Sequence, residues 1–469
     1  MKKSILILFS LFYSILQGQT VRQKISSAAL RLVQDPQMKH GILGLYVEEL
    51  RSGKLVFAKY PEFGLAPASC QKIFTSVAAF DLLGHDFRYT TQIGYDGSID
   101  QGVLQGNLHV VGSGDPTLGS WRWSQTSEDS VLRELITILS AAGIRKISGG
   151  IIVDDSRFSI DPIPGGWIWE DIGNYYGAGC WGVNWRENQF DMILKSGQHA
   201  GDSTVIGSTK PKMTELDWIN QIRTGEKASG DNGYIFLPPY ASFGFTEGTI
   251  PLAENNFEIS GSVPNAPQYF GKVLDRTLSE NRIQTSHAVL TSFDKLRNKL
   301  TWPVMTALLG THQSPSLDSL NFWFLKKSIN LYGEAMLKTL AWERDGSGST
   351  ERGVEVLRAF WKSHGIENAA LNILDGSGLS PQNRVTARSL VLALQYAQSR
   401  NWFPSFYLSL PEMNGMKMKS GSIGGAKSFA GYQKSKNGKE YVFAIIVNNY
   451  DGSSADIVRK MYKVLDQLK

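Results

Sequence analysis

Pro67-Ala68-Ser69-Cys70-Gln71-Lys72-Ile73-Phe74-Thr75-Ser76-Val77 is the stretch around which the chain is organised. Ser69 and Lys72 are three residues apart, so on a helix they share a face one turn apart. Cys70, Ile73, Phe74, Val77 and Phe80 recur at helical spacing, and Gly84 is the expected stop. A serine hydroxyl is a poor nucleophile until a base takes its proton. A lysine serves as that base once burial or a nearby cation lowers its pKa. Taken alone, the pair is better read as a helix start with a surface lysine, so its meaning depends on the rest of the chain.

The first residues read as an address. Lys2 and Lys3 precede a largely apolar run from Ile5 to Leu16, followed by Gln17-Gly18. That pattern predicts a secretory signal over residues 1–18, and the run is shorter than the ~20 residues needed to cross a bilayer. No cysteine follows it, which argues against a lipid anchor. The expected product is a soluble periplasmic or secreted protein without stable membrane insertion. Removing Lys2 and Lys3 takes the formal charge from +5 to +3 (46 − 43), with no basic run suited to nucleic acid. Two cysteines, Cys70 and Cys180, are too few to organise the fold, and their pairing stays open.

Residues 21–34 read as an amphipathic helix, and 41–50 and 54–60 as strands joined in a hairpin at Arg51-Ser52-Gly53. Beyond Arg88 come shorter strands, expected at 90–95, 103–111 and 150–153, and a helix at 131–142. The third of those strands ends in Asp154-Asp155-Ser156-Arg157-Phe158. Residues 167–190 are rich in Trp, Tyr and Gly. Exposed, such rings stack on sugars; core and loop packing is the better-supported role. Helical character returns over 292–310 and again over 316–343, where Ser328-Ile329-Asn330 sits. Thr386 is placed to cap a helix running through Ala397. Lys419-Ser420-Gly421-Ser422 precedes two strands, 428–434 and 441–449, linked by an Asn437-Gly438 turn. The last helix, 455–468, carries a core-facing stripe.

Three motifs therefore stand in order: Ser69-x-x-Lys72, Ser328-x-Asn330 and Lys419-Ser420-Gly421. A closely similar trio marks penicillin-binding proteins and serine β-lactamases. The chemistry explains the residue types. Ser69 attacks a carbonyl and Lys72 takes its proton. Ser328 relays that proton to a leaving nitrogen, and Asn330 holds a peptide amide. Lys419 adds positive charge that keeps Lys72 neutral and attracts a carboxylate. Ser420 and Ser422 offer that carboxylate their hydroxyls, Gly421 lies between them, and the backbone N–H groups of Ser69 and Ser422 form the natural oxyanion hole.

With these motifs the chain resembles the class C low-molecular-mass penicillin-binding proteins, the D-alanyl-D-alanine carboxypeptidase/endopeptidases of the penicillin-binding protein 4 type. Gly114-Asp115-Pro116-Thr117-Leu118, Asp375-Gly376-Ser377-Gly378-Leu379-Ser380 and Ala430-Gly431-Tyr432 add to the likeness, as does the spacing of 256 positions between Lys72 and Ser328. The resemblance implies an α/β (α+β) fold: a serine transpeptidase/β-lactamase-like domain, an antiparallel sheet flanked by helices, with a nested two-domain β-rich insertion. The implied limits are 19–95 and 295–469 for the transpeptidase-like domain, 96–165 and 245–294 for one inserted domain, and 166–244 for the other. It implies hydrolysis of peptidoglycan stem peptides ending in D-Ala-D-Ala through an ester on Ser69, and acylation by β-lactam antibiotics. It also implies that Asp154 approaches the amino group of the stem peptide's diamino acid; the residues alone equally suggest a turn cap. Serine at 420 and 422, where threonine is usual, keeps each hydroxyl and loses a methyl.

The competing readings are a non-catalytic penicillin-binding wall protein and a β-lactamase; the intact motifs oppose the first and the long insertion the second. Neither metal nor cofactor is expected. The seven histidines form no His-x-x-x-His pair, there is no G-x-S-x-G elbow, and the phosphate-loop look-alike at Gly421–Ser428 has Ala426 where glycine is required.

Overall fold

The computed structural model describes residues 19–469, so the signal expected over 1–18 lies outside the described residues. Helix α1 (Val21–Val33) starts on a capping box between Thr20 and Gln23. Strands β1 (Ile42–Glu49) and β2 (Leu55–Lys59) form the expected hairpin. After Ser69 comes α2 (Lys72–Leu83), in which every residue from Lys72 to Phe80 is buried. A helix apolar on all sides belongs in a core. Gly84, at φ +87°, ends it in a conformation that side chains disfavour.

The chain returns to this unit at α3 (Leu317–Lys326), α4 (Asn330–Asp345), α5 (Thr350–Ser363) and α6 (Ala387–Gln398), then β3 (Met416–Ile423), β4 (Ala426–Lys434), β5 (Glu440–Asn448) and α7 (Ser454–Leu465). The sheet is antiparallel in the order β2–β1–β5–β4–β3, with Glu412–Met413 at the edge. Pairing of β1 with β5 joins the two ends of the chain, Ile42 opposite Asn448 and Glu49 opposite Tyr441. Strand β5 is buried over seven consecutive residues because helices cover both faces of the sheet. One core packs α2, α3, α4 and α6 on one face; the other packs α1 and α7, whose apolar stripe faces inward as expected.

Between α2 and α3 lie two further cores. One holds the five-stranded sheet of 290–291, 151–154, 108–111, 90–95 and 307–313, a second small sheet, and the helices Glu128–Ala141 and Ala266–Glu280. The other is all β, built from strands between Gln189 and Ser262. The pairing of 90–95 with 307–313 carries the first inserted sheet beyond the limits expected at 95 and 294.

Several local expectations are corrected. Residues 103–111 are two strands in two different sheets, because the chain turns at Gly106-Asn107, where Asp96 accepts from the Asn107 N–H and side chain. Only Ser292–Arg297 of the span 292–310 is helical; 307–313 is recruited as a strand by the edge of 90–95. The helix expected over 316–343 breaks at Lys327–Ile329, with Ser328 at φ +60°. Lys419–Ser422 lies within β3 rather than ahead of the strands. Cys70 and Cys180 are both buried and free. Among the described residues, no helix is long and apolar enough to cross a membrane.

Phe74 is fully buried, edge-on to Trp361 at 5.6 Å between ring centres. Phe74→Ala is expected to cost about 3–5 kcal/mol, measured as a lowered urea midpoint. A cost under about 1 kcal/mol would show that α2 does not organise this core.

Candidate active site

Ser69 sits in a single 3₁₀ turn, Ala68–Gln71, that feeds directly into α2. The preceding Ala68 is held at φ +46°, a conformation that alanine adopts only when its surroundings enforce it. Those surroundings are β3 and β4. A Cβ at Gly421 would collide with the Pro67 carbonyl oxygen, and the Ser428 hydroxyl donates to that same oxygen. The glycine of the third motif thus has a steric reason: the strand lies directly against the turn that presents Ser69.

Lys72 is fully buried. Its Nζ lies 3.0 Å from Ser69 Oγ, 2.6 Å from Asn330 Oδ1 and 2.7 Å from the Ser377 carbonyl oxygen. Asn330 Nδ2 donates to the Tyr176 carbonyl at 2.8 Å, which fixes the amide with its oxygen toward Lys72. Two of the three neighbours of Nζ can only accept. A neutral amine has two hydrogens and one lone pair; with the hydrogens on Asn330 and Ser377, the lone pair faces the Ser69 hydroxyl. Burial first, then the charge on Lys419, holds the Lys72 pKa well below the usual ammonium range. The arrangement is that of a serine with a base already aimed at its proton.

Lys419 is also buried, 2% exposed, its Nζ donating to the Ser420 carbonyl at 2.9 Å. Burial lowers its pKa to about 8. Cys70 Sγ donates to the Lys419 carbonyl at 3.1 Å, tying the turn to the strand. Ser69, Ser328, Asn330 and Ser422 line one groove of about 680 Å³. Lys72, Lys419, Ser420 and Gly421 do not line it. Ser328 owes its place to the left-handed break between α3 and α4, which turns the motif toward the groove instead of burying it inside one long helix.

Asp154 does not line this groove. Its carboxylate accepts from the Ser156 N–H at 3.0 Å and lies 3.5 Å from Ser292 Oγ, so it is the turn cap that the residues alone suggested. The acid on the groove wall is Asp171, whose pKa burial raises to about 6. Beside it are Tyr175, Tyr176, Ile168 and Arg122, all from the insertion. Asp171 carries no motif; the only signal was the aromatic stretch 167–190. That stretch divides: Trp181 and Trp185 are core, while Tyr175 is exposed at the groove.

A family model described as "D-Ala-D-Ala carboxypeptidase 3 (S13) family" matches residues 25–468. The chain belongs to this family of D-Ala-D-Ala carboxypeptidases. It is 24% identical to a D-alanyl-D-alanine carboxypeptidase of Actinomadura sp., over 90% of this chain and 80% of that relative. It is 25% identical to the D-alanyl-D-alanine carboxypeptidase of Haemophilus influenzae, over 84% and 82%. The crystal structure of penicillin-binding protein 4 from Haemophilus influenzae superposes with a TM-score of 0.80 at 22% identity, covering 95% of this chain and 99% of that one. The fold is thus shared with that structure over nearly the whole of both chains, as the resemblance implied.

Gly421→Ala should overpack the contact between β3 and the Ser69 turn and cost about 1–3 kcal/mol. Urea unfolding reads this directly, and an unchanged midpoint would show that strand and turn are not held together there.

Proposed function

We infer that this S13 carboxypeptidase works through an ester on Ser69, with Lys72 as the base. The observation that carries the reading is the threefold environment of Lys72 Nζ, which leaves its lone pair on the nucleophile. Ser69 Oγ attacks the carbonyl carbon of the penultimate D-alanine, and its proton passes to Lys72. The resulting oxyanion is met by the backbone N–H groups of Ser69 and Ser422. The carbon–nitrogen bond then breaks, and Ser328 hands the proton from Lys72 to the departing amine of the terminal D-alanine. Water, deprotonated by Lys72, attacks the ester; the shortened peptide leaves as its acid and Ser69 regains its proton.

Lys419 supplies fixed positive charge beneath the groove. It draws the substrate's terminal carboxylate toward Ser420 and Ser422 and disfavours protonation of Lys72. A β-lactam carbonyl enters by the same attack, but its leaving nitrogen stays tethered in the opened ring, so the ester persists. A crosslinked D-amino-acid bond presents the same carbonyl with a bulkier amine, and the open groove supports endopeptidase action on it. An ammonium on the stem peptide is met by Asp171 rather than Asp154. The charged, apolar start of the chain supports export, and with it a periplasmic or secreted site of action.

Two outcomes are expected. Ser69→Ala should lower release of D-alanine from a D-Ala-D-Ala-terminated peptide by about 10³-fold or more, followed by chromatography of the free amino acid; undiminished release would refute the acyl-enzyme. Activity should also fall as pH rises through about 8, where Lys419 loses its charge. Lys419→Arg keeps the charge at alkaline pH and should move that limb upward in a pH–rate profile. A limb that stays put would assign it to another group.

A further inference from the structure

Glu334 is fully buried on α4, one turn beyond Asn330 and on the same side of the helix. It does not line the groove. Its two carboxyl oxygens lie 3.2 and 3.0 Å from the Gly376 N–H and accept from it. The carbonyl of the same residue accepts from the Thr75 hydroxyl at 2.7 Å. Gln71 Nε2 donates to the Asp375 carbonyl and to Asp375 Oδ1, at 2.7 and 2.8 Å. The segment Asp375–Ser377 is thus gripped by α4 on one side and by the 3₁₀ turn and α2 on the other. Its next carbonyl, that of Ser377, is the one 2.7 Å from Lys72 Nζ.

We propose that Glu334 is a positioning residue for Lys72: it fixes the Gly376 peptide so that the Ser377 carbonyl takes one amine hydrogen and leaves the lone pair on Ser69. The proposal rests on the reading of Lys72 as the base. The ionisable side chains that face Glu334 are Lys72, Asp375, Lys338 and Cys180. Burial, and then Asp375, push its carboxyl well above the usual range, so it sits beside Lys72 as a neutral acid. An ionised carboxylate there would favour the ammonium over the amine. A neutral acceptor holds the loop without protonating the base.

The test compares wild type, Glu334→Gln, Glu334→Ala and Thr75→Val, using acylation by a fluorescent penicillin and release of D-alanine from a D-Ala-D-Ala peptide across pH. Glu334→Gln keeps a neutral oxygen for the Gly376 N–H and should stay within about threefold of wild type, with an unmoved acid limb. Glu334→Ala strands that N–H in the core, and a misaligned base should lower kcat by about 10²-fold while KM holds. Thr75→Val, nearly isosteric, should lower kcat about tenfold and remains readable if Glu334→Ala does not fold. The proposal is overturned if Thr75→Val and a folded Glu334→Ala match wild type. It is equally overturned if Glu334→Gln falls as far as Glu334→Ala, or if its acid limb moves to lower pH, which would mean that Glu334 acts as a charge. Failure of the underlying catalytic reading would appear separately, as wild-type protein that penicillin does not label at Ser69.

Discussion

A lysine amine with no access to water is the constraint on which this structure depends. Lys72 is fully buried, and a buried ammonium is costly unless the protein offers it a negative charge at close range. Here it meets two neutral carbonyl-type oxygens and a hydroxyl. Among the described residues its amine takes part in no ion pair with a carboxylate, and Lys419 adds repulsion. Burial and Lys419 therefore favour the uncharged amine, which is the form the proposed base requires. The required partners come from Ser69 on the same turn, Asn330 at the head of α4, and Ser377 in a loop, segments separated by hundreds of residues. They meet where α2 packs against α4 in the core on one face of the sheet.

Much of this was legible in the order of residues. The Ser69–Lys72 helix was readable because a buried helix with a glycine stop writes a strong local pattern, and Gly84 ends it as expected. The three motifs named Ser69, Lys72, Ser328, Asn330 and Lys419 before any contact was known, because the chemistry dictates residue type at each place. The spacing could not show the break at Ser328. Apolar residues continue at helical intervals on both sides of it, and left-handed Ser328 with extended Ile329 separates α3 from α4. That break decides whether the motif faces the groove.

The other misreadings share a cause. Residues 103–111 alternate like one strand, and only the Asp96 hold on Asn107 turns them into two. Residues 307–310 fall at the end of the span read as helical, but 307–313 finds a free strand edge more than two hundred positions earlier. Asp154 carried a resemblance, whereas Asp171 carried none, and it is Asp171 that reaches the groove. For 307–313 the deciding partner is distant in the chain, and a window of local sequence contains no trace of it.

The insertion takes part in the catalytic core. The Tyr176 carbonyl orients the Asn330 amide, and without it that amide could turn its nitrogen toward Lys72 and take away an acceptor. Trp167 Nε1 donates to Asp375 Oδ2 at 2.9 Å, and the Ser380 hydroxyl donates to the Gly166 carbonyl at 3.0 Å, so the insertion also grips the loop that carries Ser377. Glu187, fully buried, accepts from both Arg122 and the Tyr332 hydroxyl, the latter at 2.7 Å and from α4 itself. Lys338, farther along α4, donates to the carbonyls of Asp161 and Cys180 at 2.9 and 3.0 Å. Buried polar bonds of this kind cost much when broken and contribute little when merely exchanged for water, so they favour one docking geometry over others more than they add stability. The same segment that walls the groove with Tyr175, Tyr176 and Asp171 thereby sets the hydrogen bonds of the base. The groove wall and the supports of the Lys72 hydrogen bonds share a single piece of chain, which gives a physical reason why an insertion this long lies between the first motif and the second.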